Sequence, residues 1–434
     1  MMRIPIICFF LSLCTFLVAQ NIYFPPLTGD QWETTDPSEL GWCLTGISNL
    51  DDFLEEKGTK AFIVLKNGKI VKETYFGTFT KDSIWYWASA GKTLTAFLTG
   101  MAQEKGLLDI NDKTSKYLGQ GWTSMSLTQE DKITVWHHLS MTTGMEDDVP
   151  DDNCMLPSCL QYKADAGTRW AYHNAPYRLI QDVIGKAWGA SYQNFMNTQL
   201  YPKTGITGLW YDGVMYSKPR NMARFGLLMS NNGVWKDQKI LSDQDYLSAM
   251  ITPSQHLNKS YGLLWWLNGQ ESFMLPNSQI VFNNTLIPNA PADTWCGLGK
   301  NDQKIYIVPS QNIVIIRMGN DGGQVTGTLS SFDNLLWDKI NKLNCSSSLL
   351  AESSENDFNL FPNPFDQLIH LHGKNAMEGL TYTMFNINGT MVASGDLEGV
   401  NTIDTYKHLK KGVYIFSIKN KNSKPIFSKK LVKN

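Results

Sequence analysis

Ser89 and Lys92 stand three residues apart in "WYWASAGKTLT", residues 85–95, at the front of an apolar run with helical spacing. On a helix, positions i and i+3 share a face, so the amine lies one turn from the hydroxyl. A serine hydroxyl is a poor nucleophile until a neighbour takes its proton. An ammonium cannot do that, but a buried lysine can lose its charge because desolvation lowers its pKa. Ala88, Ala90 and Gly91 leave room for a substrate carbonyl. A serine at a helix start also has backbone N–H groups nearby that can stabilise an oxyanion. The pattern points to acyl transfer through Ser89, although Ser-x-x-Lys by itself recurs by chance.

Its context is more specific. "IWYWASAGKTLTAFLTGMAQEKGLLDINDKTSKYL", then "ITVWHHLSMTTGM" and "DAGTRWAYHNAPYRLIQDVIG", resembles the serine β-lactamase and penicillin-binding-protein superfamily, in its class C and esterase-like branch. The resemblance implies an α/β (α+β) fold: a mainly antiparallel sheet covered by helices, as in β-lactamases and transpeptidases. It also implies that Tyr172 and Asn174 of "YHN" complete the site. Tyr172 would receive the Ser89 proton, directly or through Lys92, if a Lys92 ammonium acidifies its phenol. Asn174 would position Lys92 or a substrate carbonyl. Whether Lys92 or Tyr172 is the formal base stays open, because coupled groups titrate as a unit. The competing reading of Tyr172 is a core tyrosine with a satisfied hydroxyl.

A third motif departs from the family pattern. Where relatives carry Lys-Thr-Gly, "WCGLGKNDQKIYIVP" has Gly297-Leu298-Gly299. Gly299 would keep the backbone clear for substrate, and the Lys300 N–H would join that of Ser89 as an oxyanion donor. The cation is lost unless Lys300 turns inward, which weakens the case for penicillin or D-Ala-D-Ala recognition. "GLGKNDQ" is closer to the 6-aminohexanoate-dimer hydrolase and esterase relatives, which cleave linear amides or esters. The expectation is a serine hydrolase forming an acyl-enzyme at Ser89 on a small amide, ester or peptide, with no metal or cofactor. The alternatives are a D-Ala-D-Ala-type peptidase or transpeptidase, and a catalytically silent peptide- or glycan-binding relative.

The elements that must hold these residues can be read from pattern. "KAFIVLKNGKIVKETYFG" predicts a hairpin turning at Asn67-Gly68, and "QKIYIVPSQNIVIIRMG" predicts two strands turning at Pro309 to Asn312. With the Ser89 helix and a second helix in "APYRLIQDVIGKAW" between them, distant segments are expected to build one sheet under helices. "CSSSLLAESSEND" reads as a linker over residues 346–357. Residues 358–434 alternate apolar and polar positions around Asn-Gly and Lys-Gly turns, predicting a small all-β sandwich. Within it, "LFPNPF", "FNINGTMV", "NTIDTYKHLKKGVYIFSI" and "SKKLVKN" resemble the C-terminal sorting domain of the type IX secretion system of Bacteroidetes. That implies a partner in the secretion machinery and passage through the periplasm and outer membrane.

The first nineteen residues, a basic start, an apolar run and a small residue at Ala19, read as an export signal too short to be a membrane span. The hydrolase domain would then occupy residues 20–345. Thirty-eight basic and forty acidic side chains nearly cancel, which gives no reason to expect nucleic acid as a partner, and no later segment reads as transmembrane. Export allows disulfides. The "CMLPSC" turn pairs Cys154 with Cys159, and Cys43 and Cys345 could join the ends of the larger domain. His137 and His138, adjacent on a helix, read as packing, "EDDVPDDNC" as a solvated acidic loop, and "MGNDGG" as a turn. Of Trp85, Trp87, Trp170, Trp265 and Trp266, one or two are expected to touch substrate.

Overall fold

The computed structural model describes residues 22–323, 325–326, 329–344, 358–373, 377–386, 391–397, 402–404, 409–421 and 425–434. Its contacts separate two compact units between Leu343 and Asn344. The expected signal at residues 1–19, the expected linker at 346–357 and Cys345 lie outside the described residues.

The first unit is built on a six-stranded antiparallel sheet. Its strands are β1 (Thr59–Lys66), β2 (Lys69–Tyr75), β3 (Trp266–Leu267), β4 (Trp295–Gly299), β5 (Gln303–Val308) and β6 (Ile313–Gly319), in the order β2-β1-β6-β5-β4-β3. The β1–β2 turn works because Asn67 and Gly68 accept φ of 50° and 82°, as a tight hairpin requires. β1 then pairs with β6, Ile63 opposite Ile316, which joins the two ends of the unit. Helices α1 (Leu44–Glu56), α2 (Lys92–Glu104), α3 (Asn174–Trp188), α4 (Pro219–Ser230) and α5 (Phe332–Asn341) surround the sheet. Alternate residues of β5 show that both of its faces are covered. Ile305 lies under Gly226 of α4, while Lys304 and Tyr306 meet Asp333 and Trp337 of α5. Two covered faces explain why these strands are nearly continuous apolar runs.

Ser89 sits where this sheet meets a smaller one, formed by Trp85–Tyr86, Val214–Ser217 and Leu209–Tyr211. The Trp87 N–H donates to Met215 O at 2.8 Å, and its indole N–H to Ser217 Oγ at 2.8 Å. Ala88 then adopts φ of 47°, a left-handed conformation costly for a residue with a Cβ, and turns the chain into a 3₁₀ turn at Ala88–Gly91. α2 follows directly, buried on every side from Lys92 to Ala102, with Leu94, Phe97 and Leu98 fully buried.

In the second unit, Phe358–Phe361, Leu368–Gly373 and Thr402–Asp404 form one sheet. Met391–Asp396, Thr381–Asn386, Gly412–Lys419 and Pro425–Lys433 form another. Ile369, Leu371, Met384, Phe416 and Leu431 supply a separate core. In the first unit, Cys154 and Cys159 are joined by a disulfide. Cys43 is disulfide-bonded as well, and Cys296 is a buried free thiol.

Candidate active site

A cavity of about 680 Å³ opens over the Ser89 turn. Lys92 lies at its base, 3 % exposed, with Nζ 2.9 Å from Ser89 Oγ and 2.7 Å from Asn174 Oδ1. Nζ also lies 5.0 Å from the ring centre of Tyr172 and 4.4 Å from that of Tyr177. Among the described residues, no carboxylate reaches it closely enough for an ion pair. Burial therefore dominates and lowers its pKa to about 7, with Asp152 pulling upward and Arg178 downward. A neutral amine has two N–H donors and one lone pair. With one N–H given to Asn174, the lone pair is free for the Ser89 proton.

The orientation of Asn174 has its own cause. Its amide nitrogen donates to Asp152 Oδ2 at 2.7 Å, and a carboxylate can only accept, so the amide oxygen must face Lys92. Asp152 is tied to the start of α3 a second time, its carbonyl accepting the Ala175 N–H at 2.8 Å. The Cys154–Cys159 staple follows two residues later. The acidic loop read as solvated is thus only partly so. Glu146 does pair outward with Lys163, but the Asp147–Arg169 pair is largely buried and Asp152 belongs to the cavity. Sequence reasoning missed it because the contact is long-range. Its one local signal is its place next to a short disulfide loop.

Tyr172 lines the same cavity as Ser89 and Lys92. The expectation that a Lys92 ammonium would acidify its phenol fails. Burial raises the phenol's pKa instead, and the nearby Ser89 hydroxyl offsets this only in part. The residue is 8 % exposed and packed by Trp266, which stacks on it with ring centres 5.8 Å apart, and by Trp170 and Tyr261. This corrects the tryptophan reading too. Trp87, Trp170, Trp265 and Trp266 are core residues, and neither they nor Trp85 line the cavity. Of these, Trp170 and Trp266 pack against Tyr172 and fix it.

The opposite wall is the end of β4 and the turn after it. A Cβ at Gly299 would stand 2.5 Å from Trp87 O and 3.0 Å from Ala90 N, so only glycine lets this strand approach the Ser89 turn. The expected reason for Gly299, clearance for substrate, is replaced by clearance for the protein's own backbone. Gly297 is tight as well, its Cβ position 3.1 Å from Thr93 Cγ2. Lys300 lines the cavity. The turn continues through Asn301 and Asp302 at φ of 57° and 56° and is anchored from beneath. Arg317, fully buried, donates to the carbonyls of Asn301 and Asp302 at 3.1 and 2.9 Å. Lys304 bridges Asp302 and Asp333 at 3.0 and 2.7 Å. None of this buried charge network was foreseen.

Four aspartates, Asp152, Asp212, Asp302 and Asp321, line the cavity. Its cations besides Lys92 are Arg178, paired with Asp212, and Lys300. His138 is a packing residue, holding Thr114 Oγ1 at 2.9 Å and Pro176 O at 2.7 Å, and burial lowers its pKa to about 4. His137 Nδ1 accepts the Thr134 N–H that starts its own helix. Among the described residues, no cluster of His, Cys, Asp or Glu could hold a metal ion.

Comparison with known proteins agrees with this fold. The family model described as Beta-lactamase matches residues 50–213, and the one described as Secretion system C-terminal sorting domain matches residues 359–434. An uncharacterised protein of Alkalihalophilus pseudofirmus is 22 % identical over 65 % of this chain and 89 % of its own length. The 6-aminohexanoate-dimer hydrolase of Paenarthrobacter ureafaciens is 20 % identical over 64 % of this chain and 76 % of its own. The crystal structure of a putative beta-lactamase from Bacteroides dorei superposes with a TM-score of 0.55, at 18 % identity, over 70 % of this chain and 99 % of that one. The chain thus joins a domain of the beta-lactamase family, with the fold of β-lactamases and transpeptidases, to a secretion-system C-terminal sorting domain.

Proposed function

We propose that the protein is an exported serine hydrolase that forms an acyl-enzyme at Ser89 and hydrolyses an amide or ester. The observation that carries this reading is the buried Lys92 amine, 2.9 Å from Ser89 Oγ and with its pKa lowered to about 7. Neutral Lys92 takes the Ser89 proton as Oγ attacks the substrate carbonyl. The oxyanion is held by the N–H groups of Ser89 and Lys300, which the close approach at Gly299 supports. Tyr172, kept protonated by burial, then acts as an acid rather than a base, giving its proton to the leaving group and recovering one from Lys92. Water repeats the sequence to release the acid. Asn174 and Asp152 keep the Lys92 lone pair aimed at Ser89.

The lining favours a neutral or cationic substrate over one carrying a carboxylate. Gly297 brings no cation where relatives place theirs, and of the four aspartates that face the cavity only Asp212 and Asp302 are in ion pairs, which leaves Asp152 and Asp321 against Lys300 and a Lys92 amine that burial brings near neutrality. This supports an amidase or esterase over a penicillin-recognising peptidase. The sorting domain would deliver the enzyme to the cell surface or medium through the type IX machinery.

Labelling tests both levels. The mature protein should react with a fluorophosphonate probe, lose that reaction in Ser89→Ala, and stay unlabelled by a fluorescent penicillin. Labelling by both probes would overturn the substrate reading, and labelling by neither would overturn the enzyme.

A further inference from the structure

A second cavity, of about 890 Å³, lies on the other side of the Leu209–Ser217 hairpin and contains none of the catalytic candidates. The hairpin separates the two spaces: Leu209, Tyr211 and Tyr216 wall this one, while Asp212, Gly213 and Val214 line the Ser89 cavity. Its walls are unusually apolar for a surface. Leu27, Ile84, Tyr201, Leu209 and Tyr211 are 41, 62, 42, 58 and 68 % exposed, and all five face it. Clustered exposure of this kind marks a binding surface rather than scattered surface apolarity.

Its floor is polar and incompletely satisfied. Arg224 is 7 % exposed, and two of its N–H groups donate to Thr204 O at 3.1 Å and Pro26 O at 2.5 Å. Trp32 and Trp235 lie against its guanidinium, 5.4 and 5.6 Å away. Among the described residues, no carboxylate comes within ion-pair range of it. Its neighbour Arg220 differs in this respect, being neutralised through two 2.7 Å bonds to Glu73. Beside Arg224, Asn221 is 8 % exposed. Its oxygen accepts the Thr207 N–H at 3.2 Å, while its amide nitrogen has no acceptor among the described residues. A buried cation without a counter-charge is costly, and it lines one apolar-walled cavity together with the Asn221 amide nitrogen, a donor that no protein group among the described residues accepts from. Both are relieved by the same thing, an anionic group placed on the floor.

We propose that this cavity is a second ligand site, taking a molecule with one anionic head, carboxylate or phosphate, on an apolar body. The head accepts from Asn221 Nδ2 and lies against the Arg224 guanidinium, and the body lies between Leu209, Tyr211 and Ile84. The volume is in the range that encloses small ligands.

The test is calorimetric titration of the full mature chain with octanoate, octyl phosphate, octan-1-ol and octylamine. One or both anions should saturate a single site, and bind at least about tenfold more tightly than the alcohol, the factor one charge-assisted hydrogen bond supplies. The amine should bind more weakly still. Whichever anion is tighter identifies the head. Leu209→Glu and Ile84→Glu, at exposed positions that folding tolerates, should each weaken the anions by about tenfold or more, by exposing charge to the apolar body. Arg224→Gln, if it folds, should erase the preference for anion over alcohol. Blocking Ser89 with the fluorophosphonate should leave binding unchanged, so this outcome is independent of the proposed hydrolase. The proposal is overturned if the alcohol binds as tightly as both anions, or if binding survives Leu209→Glu. It is equally overturned if binding disappears when Ser89 is blocked, or if no ligand saturates at millimolar concentration.

Discussion

Asp152→Asn removes one negative charge near Lys92 while keeping an acceptor for the Asn174 amide. Two 2.7 Å hydrogen bonds, with one amide group between them, connect the carboxylate to the amine. The charges are then at most ~8 Å apart, which at an effective dielectric near 20 is worth about 2 kcal/mol. Asp152 is partly exposed, and solvent screening reduces this to on the order of one pH unit at Lys92. The carboxylate favours the ammonium, so its removal lowers the Lys92 pKa further. The kcat/KM for an activated ester, measured across neutral pH, should rise through an acid limb near 7 in the parent. In Asp152→Asn that limb should move about one unit lower, with the plateau changed by less than about threefold. Asp152→Ala also removes the acceptor, frees Asn174 to rotate, and should lower the plateau by about ten- to a hundredfold. A limb that stays put or moves upward in Asp152→Asn would refute the reasoning, because the titrating base would then not be Lys92 or would not sense Asp152.

Three further outcomes follow from the walls of the site. Gly299→Ala should reduce ester hydrolysis by more than about tenfold and destabilise the first unit by about 1–3 kcal/mol, since its methyl would press on Trp87 O at 2.5 Å; hydrolysis and thermal melts check this. Asp333→Asn should cost about 2–4 kcal/mol in denaturant unfolding, because Lys304 loses one of its two buried counter-charges and Tyr306 an ionic acceptor. Cys154→Ser with Cys159→Ser should lower kcat more than it raises KM for the same ester, as the loop that holds Asp152 loosens.

What was legible in the sequence is what is local or periodic. Ser89 and Lys92 meet because one helical turn brings them together, and "KNGK" makes a hairpin because asparagine and glycine tolerate left-handed backbone. The strands at both ends of the first unit show as apolar runs, and the sandwich of the second as alternation. What was hidden depends on burial and on partners far along the chain. Asp152 looks like one of several acids in a loop until the fold sets it against Asn174. Tyr172 would be acidified by a cation in the open, but Trp170, Tyr261 and Trp266 close round it and the sign reverses. Gly299 resembles a gap left for substrate until the Trp87 carbonyl is found to occupy that gap. In each case the residue type was visible and its surroundings were not.

Burial of Lys92 has a consequence for stability that can be measured apart from catalysis. In the unfolded chain its amine titrates at the ordinary 10.5, and in the folded chain at about 7. Below about 7 both states carry the proton and the folded state bears the full penalty of a buried charge. Between about 7 and 10.5 the unfolded state holds a proton that the folded state lacks, so stability from this group rises with pH by up to about 1.4 kcal/mol per unit. Lys92→Met removes that dependence, although it also leaves Ser89 Oγ and Asn174 Oδ1 without their partner. That second loss adds a constant, so the difference between variant and parent should still shift by about 2–3 kcal/mol in favour of the parent from pH 6 to pH 9. All fourteen tryptophans precede Leu343, so fluorescence-detected unfolding of the full chain reports on the unit that contains Lys92. A difference that is flat over this range would mean that the folded protein keeps an ordinary ammonium at Lys92. The proton of Ser89 would then have no acceptor in the neutral range.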